Sequence, residues 1–330
     1  MITPPVSRRD FVSLLGAAAV AAPLAARAAA APAAKSAAPA SPAGARKYGP
    51  LHVFTKPLQW MSYDEAAALI AEAGFGGLDL SVRAGGHVLP ENVKRDLPLA
   101  VAAAKKAGLV VELITTDITR VSAPHAETVL RVAADQGVKA YRLGNYNYDA
   151  KLGVWESLQR LKPELQRLAA LNASLGLHGG IQNHAGARVG AAIWDIYELV
   201  RDLDPRAFGL QYDIRHAVAE GGQSWSLPLK LLAPWIGSLD LKDFRWGQSP
   251  GKAVIENTPI GEGIVPFDAY FKLVRELGVG GPVSFHFEYP PFERDPRKLG
   301  PAEKRTLFLA AMKKDLAATK VHLAKHGLAG

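Results

Sequence analysis

The chain has 330 residues, 48% of them apolar, and 39 Lys and Arg against 31 Asp and Glu give it a formal net charge of +8. That apolar share excludes wholesale disorder, and the length allows two average domains or one α/β barrel of about 250 residues with a tail. With no cysteine, disulfides, thiolate nucleophiles, iron–sulfur clusters, thiolate zinc sites and a lipoprotein anchor are excluded.

The N-terminus reads Ser7-Arg8-Arg9-Asp10-Phe11-Val12, then an apolar run from Leu14 to Ala26, then Ala26-Arg27-Ala28. A basic start, a short apolar stretch and a small-residue cleavage pattern are the order of a secretory signal peptide, and the run is too short to span a bilayer comfortably. The paired arginines before Asp-Phe-Val resemble the twin-arginine export motif. The expected organisation is a signal peptide over 1–28, a disordered Ala/Pro-rich linker over 29–47 and one folded domain over 48–330. The expected location is the periplasm, reached through the twin-arginine export machinery, with no stable membrane anchor. Residues 1–47 hold six Lys or Arg and one acid, which leaves 33 basic and 30 acidic residues for the remainder. So slight an excess argues against nucleic acid as a partner.

From Leu51 onward, short apolar runs alternate with longer amphipathic stretches. The strand candidates are Leu51–Leu58, Gly77–Val82, Val110–Thr116, Ala140–Tyr146, Leu177–Asn183, Phe208–Ile214, Ile236–Phe244 and Pro282–Tyr289. Helical spacing occupies Ser62–Ala73, Leu97–Ala107, His125–Asp135, Trp155–Leu175, Ala191–Leu203, Leu227–Trp235, Phe267–Leu277 and Pro301–His326. Gly74, Gly108, Gly137 and Gly176 follow helices as left-handed stops. Eight strand–helix units predict a single parallel (β/α)8 TIM barrel. A doubly wound open sheet is the alternative, but no Gly-rich turn follows the first strand.

A barrel of this kind carries its active site at the carboxyl ends of the strands. The polar residues there are Lys56, Arg83 and His87, then Thr115, Thr116 and Asp117, then Arg142, Asn145 and Tyr146. Next come Gln182-Asn183-His184, then Asp213, Arg215 and His216, then Asp240, Lys242 and Asp243, and finally His286, Glu288 and Tyr289. His178 opens a strand and reads as structural.

The ordered set Gly85-Gly86-His87, Gln182-Asn183-His184, Asp213-x-x-His216, Asp240-Leu241-Lys242-Asp243 and Phe287-Glu288 resembles the sugar phosphate isomerase/epimerase superfamily, with its xylose isomerase-like barrel, over residues 50–290. The resemblance implies a divalent ion held at the ends of strands 5 to 8 against two oxygens of a sugar. Asp213 and Glu288 match metal carboxylates of that family, and His216 matches its substrate-contacting histidine. Gln182 stands where a ligand Glu is expected, and Asp240 where a ligand His is expected. The implied metal set is Gln182, Asp213, Asp240 and Glu288, an all-oxygen site suited to Mn, Mg or Ca. The alternative is a metal-free site in which Lys242 and the histidines supply the electrostatics.

An amide cannot take a proton from carbon at neutral pH, so Gln182 disfavours inversion by two carboxylates. The expected reaction uses Glu288 as a single base next to a carbonyl, with His184 or His216 as partner acid and Lys242 stabilising an enediolate. The substrate-binding candidates are His87, Arg142, Lys56, Trp246 and His286. The expected activity is that of a sugar isomerase or epimerase acting on a small-molecule carbohydrate, namely a free sugar, keto-sugar or polyol. A lyase or hydratase on keto-sugars and a non-catalytic periplasmic carbohydrate-binding barrel are the alternatives. The stretch from Arg245 to Pro266 reads as a long loop and candidate lid, with Glu262 of Pro-Ile-Gly-Glu-Gly turned back to the site.

Overall fold

A computed structural model describes residues 47–293, 295 and 297–330. The expected signal peptide and nearly all of the linker lie outside the described residues. Eight parallel strands close into a barrel: β1 (Leu51–Phe54), β2 (Gly77–Ser81), β3 (Val110–Thr115), β4 (Ala140–Arg142), β5 (His178–Gln182), β6 (Phe208–Asp213), β7 (Ile236–Leu241) and β10 (Val283–Phe285). Each pairs with its sequence neighbours, and β10 closes the ring between β7 and β1. The strands are almost wholly buried because helices cover them outside and side chains fill them inside, which is why they read as continuous apolar runs.

The intervening helices are α1 (Tyr63–Glu72), α2 (Val93–Lys106), α3 (Ala126–Asp135), α4 (Val154–Leu175), α5 (Trp194–Val200), α6 (Ile214–Gly221), α7 (Ser226–Leu232), α8 (Phe267–Leu277) and α9 (Pro301–Lys325). Ser62 opens α1 with a full capping box closed by Glu65. The glycines that follow α1 to α4 all have positive φ, from 66° to 90°, so the predicted left-handed stops are present. No helix among the described residues is long and apolar enough to cross a membrane.

Two departures from the sequence reading shape the mouth of the barrel. The stretch expected as a long loop is an antiparallel hairpin, β8 (Asp243–Ser249) and β9 (Lys252–Thr258), turning at Pro250-Gly251. Pro fixes φ at the first corner and Gly251, at φ 75°, takes the second. The first and last strands of the ring are also shorter than predicted. β1 ends at Phe54 and passes into a helical turn at Lys56–Leu58, and β10 ends at Phe285.

Candidate active site

The Asp213-x-x-His216 spacing is a helix start. β6 runs directly into α6, Asp213 is the N-cap, and its Oδ1 accepts the His216 amide at 3.1 Å. One capping turn therefore sets a carboxylate and an imidazole side by side at the strand end. Asn183 locks this turn from β5: its Nδ2 donates to the Asp213 carbonyl (2.9 Å) and its Oδ1 accepts the Asp213 amide (2.8 Å). The other Asp213 oxygen, Oδ2, faces the barrel interior.

Lys242, just past β7, meets that oxygen. Its Nζ lies 2.9 Å from Asp213 Oδ2, 3.0 Å from His216 Nε2 and 3.5 Å from Glu288 Oε1. Burial works against the Lys242 charge, yet Asp213, Glu288 and Asp240 together raise its pKa above the ordinary value. Burial likewise opposes the Glu288 charge, but Lys242, His286 and Lys56 prevail and lower its pKa to about 2. An ionised carboxylate and an ammonium thus stand together in a largely desolvated mouth. His216 is neutral: burial and Lys242 push its pKa well down, and Arg215 Nη1 occupies its Nδ1 at 2.8 Å. His184 packs against it with ring centroids 4.0 Å apart and the ring planes tilted by 32°, and burial lowers its pKa to about 4. Both histidines are held towards the neutral form by burial, and Lys242 is the cation that stands beside Glu288.

Beneath this layer, Gln182 joins the network. Arg142 Nη1 donates to Gln182 Oε1 (2.8 Å), and Gln182 Nε2 donates to Asp213 Oδ2 (3.0 Å) and Asp240 Oδ2 (2.7 Å). Guanidinium only donates and carboxylate only accepts, so these partners fix which way the amide points. His286 Nε2 lies 3.2 Å from Asp240 Oδ1 and 3.6 Å from Asp79 Oδ2, and Asp79 also accepts the hydroxyls of Thr115 (2.9 Å) and Ser284 (2.8 Å). Burial pulls the His286 pKa down, but Asp240 and Asp79 outweigh it and raise the value to about 9. Asp79 joins the candidate site without having been among the residues expected from the sequence. The signal was present: an acid in the middle of the strand Gly77-Leu78-Asp79-Leu80-Ser81, where only an inward-facing partner makes burial tolerable.

Several predicted contacts lie elsewhere. His87 packs its ring against Tyr63 and places Nε2 3.0 Å from the Met61 carbonyl, bracing the loop after β2. Lys56 pairs with Glu293. Arg142 and His286 are buried beneath the mouth and position other groups there. Trp246 is 51% exposed on β8, set edgewise on Phe244. Glu262 pairs with Lys314 of α9 and not with the site. Asp243 braces the chain after β7: it accepts the amides of Phe244, Gly261, Gly263 and Val265. A Cβ at position 263 would come within 2.2 Å of Asp243 Oδ1, so the second glycine of Pro-Ile-Gly-Glu-Gly is sterically required. The hairpin is tied to the site by Asn257, which accepts from Arg215 (2.6 Å) and donates to the Glu288 carbonyl (2.9 Å).

The implied set of Gln182, Asp213, Asp240 and Glu288 does not fit a shared divalent ion. The Gln182 oxygen is taken by Arg142, its NH2 faces the two aspartates, and Lys242 Nζ stands between Asp213 and Glu288. A different group, Asp79, Asp240 and His286, has ligand atoms within 4.8 Å of one another and could hold a metal ion. Beside the mouth lies a cleft of about 440 Å³ lined by Tyr148, Arg188, Ile193, Trp194, Ala217 and Glu220, among others.

The model of the xylose isomerase-like TIM barrel family matches residues 67–311. An L-ribulose 3-epimerase structure superposes with a TM-score of 0.61 at 15% identity, covering 84% of this chain and 95% of that one. The 3-keto-D-glucoside 4-epimerase from E. coli gives 0.61 at 14%, covering 82% and 99%. The probable 3-DHS dehydratase from Bacillus anthracis gives 0.60 at 17%, covering 81% and 97%. No functionally curated protein matches the sequence significantly. At these identities the structural likeness establishes the fold, a closed eight-stranded parallel barrel with helices between its strands. With a family model matched over most of its length, the chain belongs to the xylose isomerase-like TIM barrel family.

Proposed function

We propose that the chain is a sugar isomerase or epimerase-like enzyme that acts on a free sugar, keto-sugar or polyol by removing a proton next to a carbonyl. The observation that carries this reading is the Glu288–Lys242 pair, an ionised carboxylate 3.5 Å from an ammonium at the mouth of the barrel. A substrate carbonyl oxygen bonded to Lys242 draws the ammonium from Glu288, and the carboxylate then becomes a stronger base. Glu288 takes the proton from the adjacent carbon, and the oxygen that gains negative charge is held by the Lys242 N–H. The same carboxyl returns the proton to the neighbouring carbon. Gln182 gives no second base, which favours this one-base isomerisation over two-base inversion. Incubation with candidate sugars in deuterated water tests the assignment. Glu288→Gln is expected to slow deuterium incorporation by at least about 10²-fold, and retained incorporation would remove Glu288 from the role.

A lyase or hydratase reading has one feature in its favour. The cleft takes in Gly186, two residues after His184, and Ala217, next to His216, and it has room for a group attached to the sugar. The same proton abstraction would expel that group, and loss of water or of the attached group in the exchange assay separates the two outcomes.

The twin-arginine pattern supports an exported, periplasmic enzyme. Replacing Arg8 and Arg9 by lysine is expected to leave the chain in the cytoplasmic fraction of fractionated cells, and undiminished export would count against it.

A further inference from the structure

We propose that the Lys242 ammonium stands where the resemblance to sugar isomerases calls for a divalent cation, so that the site polarises its substrate with an internal cation and takes up no divalent metal. This deepens the proton-abstraction reading above and rests on it for the chemistry.

Position is the first argument. Nζ sits between the carboxylates at the ends of β6 and β10, 2.9 Å from Asp213 Oδ2 and 3.5 Å from Glu288 Oε1, with His216 Nε2 3.0 Å away. Those carboxylates are the ones implied as metal ligands.

Charge is the second. Exchanging a doubly charged ion for an ammonium removes one positive charge, and the amide Gln182, where a carboxylate is expected, removes one negative charge. Asp240 stands in place of an expected histidine, and His286 Nε2 faces it from 3.2 Å. Lys242 Nζ already stands between the Asp213 and Glu288 carboxylates, and Arg142 Nη1 on the Gln182 oxygen. An added divalent ion would leave two buried positive charges uncompensated, a costly state in a desolvated site.

Bonding of the remaining candidate group is the third. Asp79 gives its oxygens to Thr115 and Ser284, and His286 Nε2 lies between Asp79 and Asp240. An ion there would have to displace the proton that pairs those aspartates.

In the reaction, the substrate carbonyl oxygen accepts a Lys242 N–H and Glu288 removes the C–H proton. The C–H electron pair forms the C=C bond of an enediolate as the carbonyl π pair moves onto oxygen. Lys242 gives a proton to the former carbonyl oxygen and takes one from the adjacent hydroxyl, whose O–H pair forms the new C=O as the C=C pair takes the proton back from Glu288 at the neighbouring carbon. Carboxylate and ammonium are regenerated and no co-reactant is consumed.

The test is a Mn²⁺ titration of the purified full chain, followed by the electron paramagnetic resonance signal of free Mn²⁺ and by thermal melting. The expected result is that added Mn²⁺ stays free and the melting temperature is the same with Mn²⁺ or with EDTA. Lys242→Met, which leaves Asp213 and Glu288 without their cation, is expected to bind one equivalent and to gain several degrees with Mn²⁺. One equivalent bound tightly by the parent chain would overturn the proposal, and loss of that binding in Asp79→Asn would put the ion among Asp79, Asp240 and His286. A folded Lys242→Met that binds no Mn²⁺ would overturn it too; if the variant does not fold, the parent titration decides alone. Because the readout is ion binding, a failure to find any sugar that exchanges would sink the proposed function without altering this result.

Discussion

At the scale of single residues, the site is held together by groups that each serve two partners. Asp213 caps α6 with one oxygen and receives Lys242 and Gln182 on the other. Removing it leaves buried Lys242 with Glu288, at 3.5 Å, as its one remaining carboxylate within ion-pair distance among the described residues. Stranding a buried charge in this way costs about 3–5 kcal/mol. Asp213→Asn, which strands the charge but can still cap α6, is therefore expected to lower the unfolding free energy in urea titrations by that order, and Asp213→Ala, which loses the cap as well, by about 1 kcal/mol more. A variant as stable as the parent would mean that the pair does not support the fold.

At the scale of elements, the eight barrel strands were legible because each is buried on both faces and bounded by turn residues, and the positive-φ glycines marked the helix ends. The hairpin was not legible as a pair of strands. In Asp243–Ser249 the buried residues are the first two and the rest are half or fully exposed, so no period-2 pattern develops. Its one clear signal was the Pro250-Gly251 turn. The residues of the site were nearly all visible as polar interruptions at strand ends, but their roles were not. Whether Gln182 turns its oxygen to a cation or to Arg142, and whether a histidine can hold a proton, depends on neighbours from other strands. The hairpin depends on Asp243, which collects four backbone amides. Asp243→Ala would leave buried donors unpaired at about 1–3 kcal/mol each. The expected outcome is faster amide hydrogen exchange from β8 to Val265 with the rest of the barrel unchanged; uniform protection would rule out this bracing role.

At the scale of the whole molecule, α9 closes against the barrel and brings a buried acid with it. Asp315 accepts the Ile260 amide at 3.2 Å, and burial raises its pKa to about 7 from the ordinary 3.8. The folded chain keeps this proton up to about pH 7, whereas the unfolded chain releases it near pH 4. The contribution to stability is therefore full below about pH 4, falls as pH rises to about 7 by at most about 4 kcal/mol, and is flat above that. Asp315→Asn is expected to remove this slope, so that its stability relative to the parent improves between about pH 5 and pH 8 in urea unfolding; an unchanged difference would show that Asp315 does not carry the proton.

The paired charges in the barrel mouth also set the field outside it. Cations and anions paired within a few ångströms present a local multipole, whose potential dies away quickly in water. Such an entrance neither draws in phosphorylated or carboxylated solutes from a distance nor repels cations. Encounter with an uncharged solute then proceeds by plain diffusion, at a pace indifferent to the ionic strength of the surroundings.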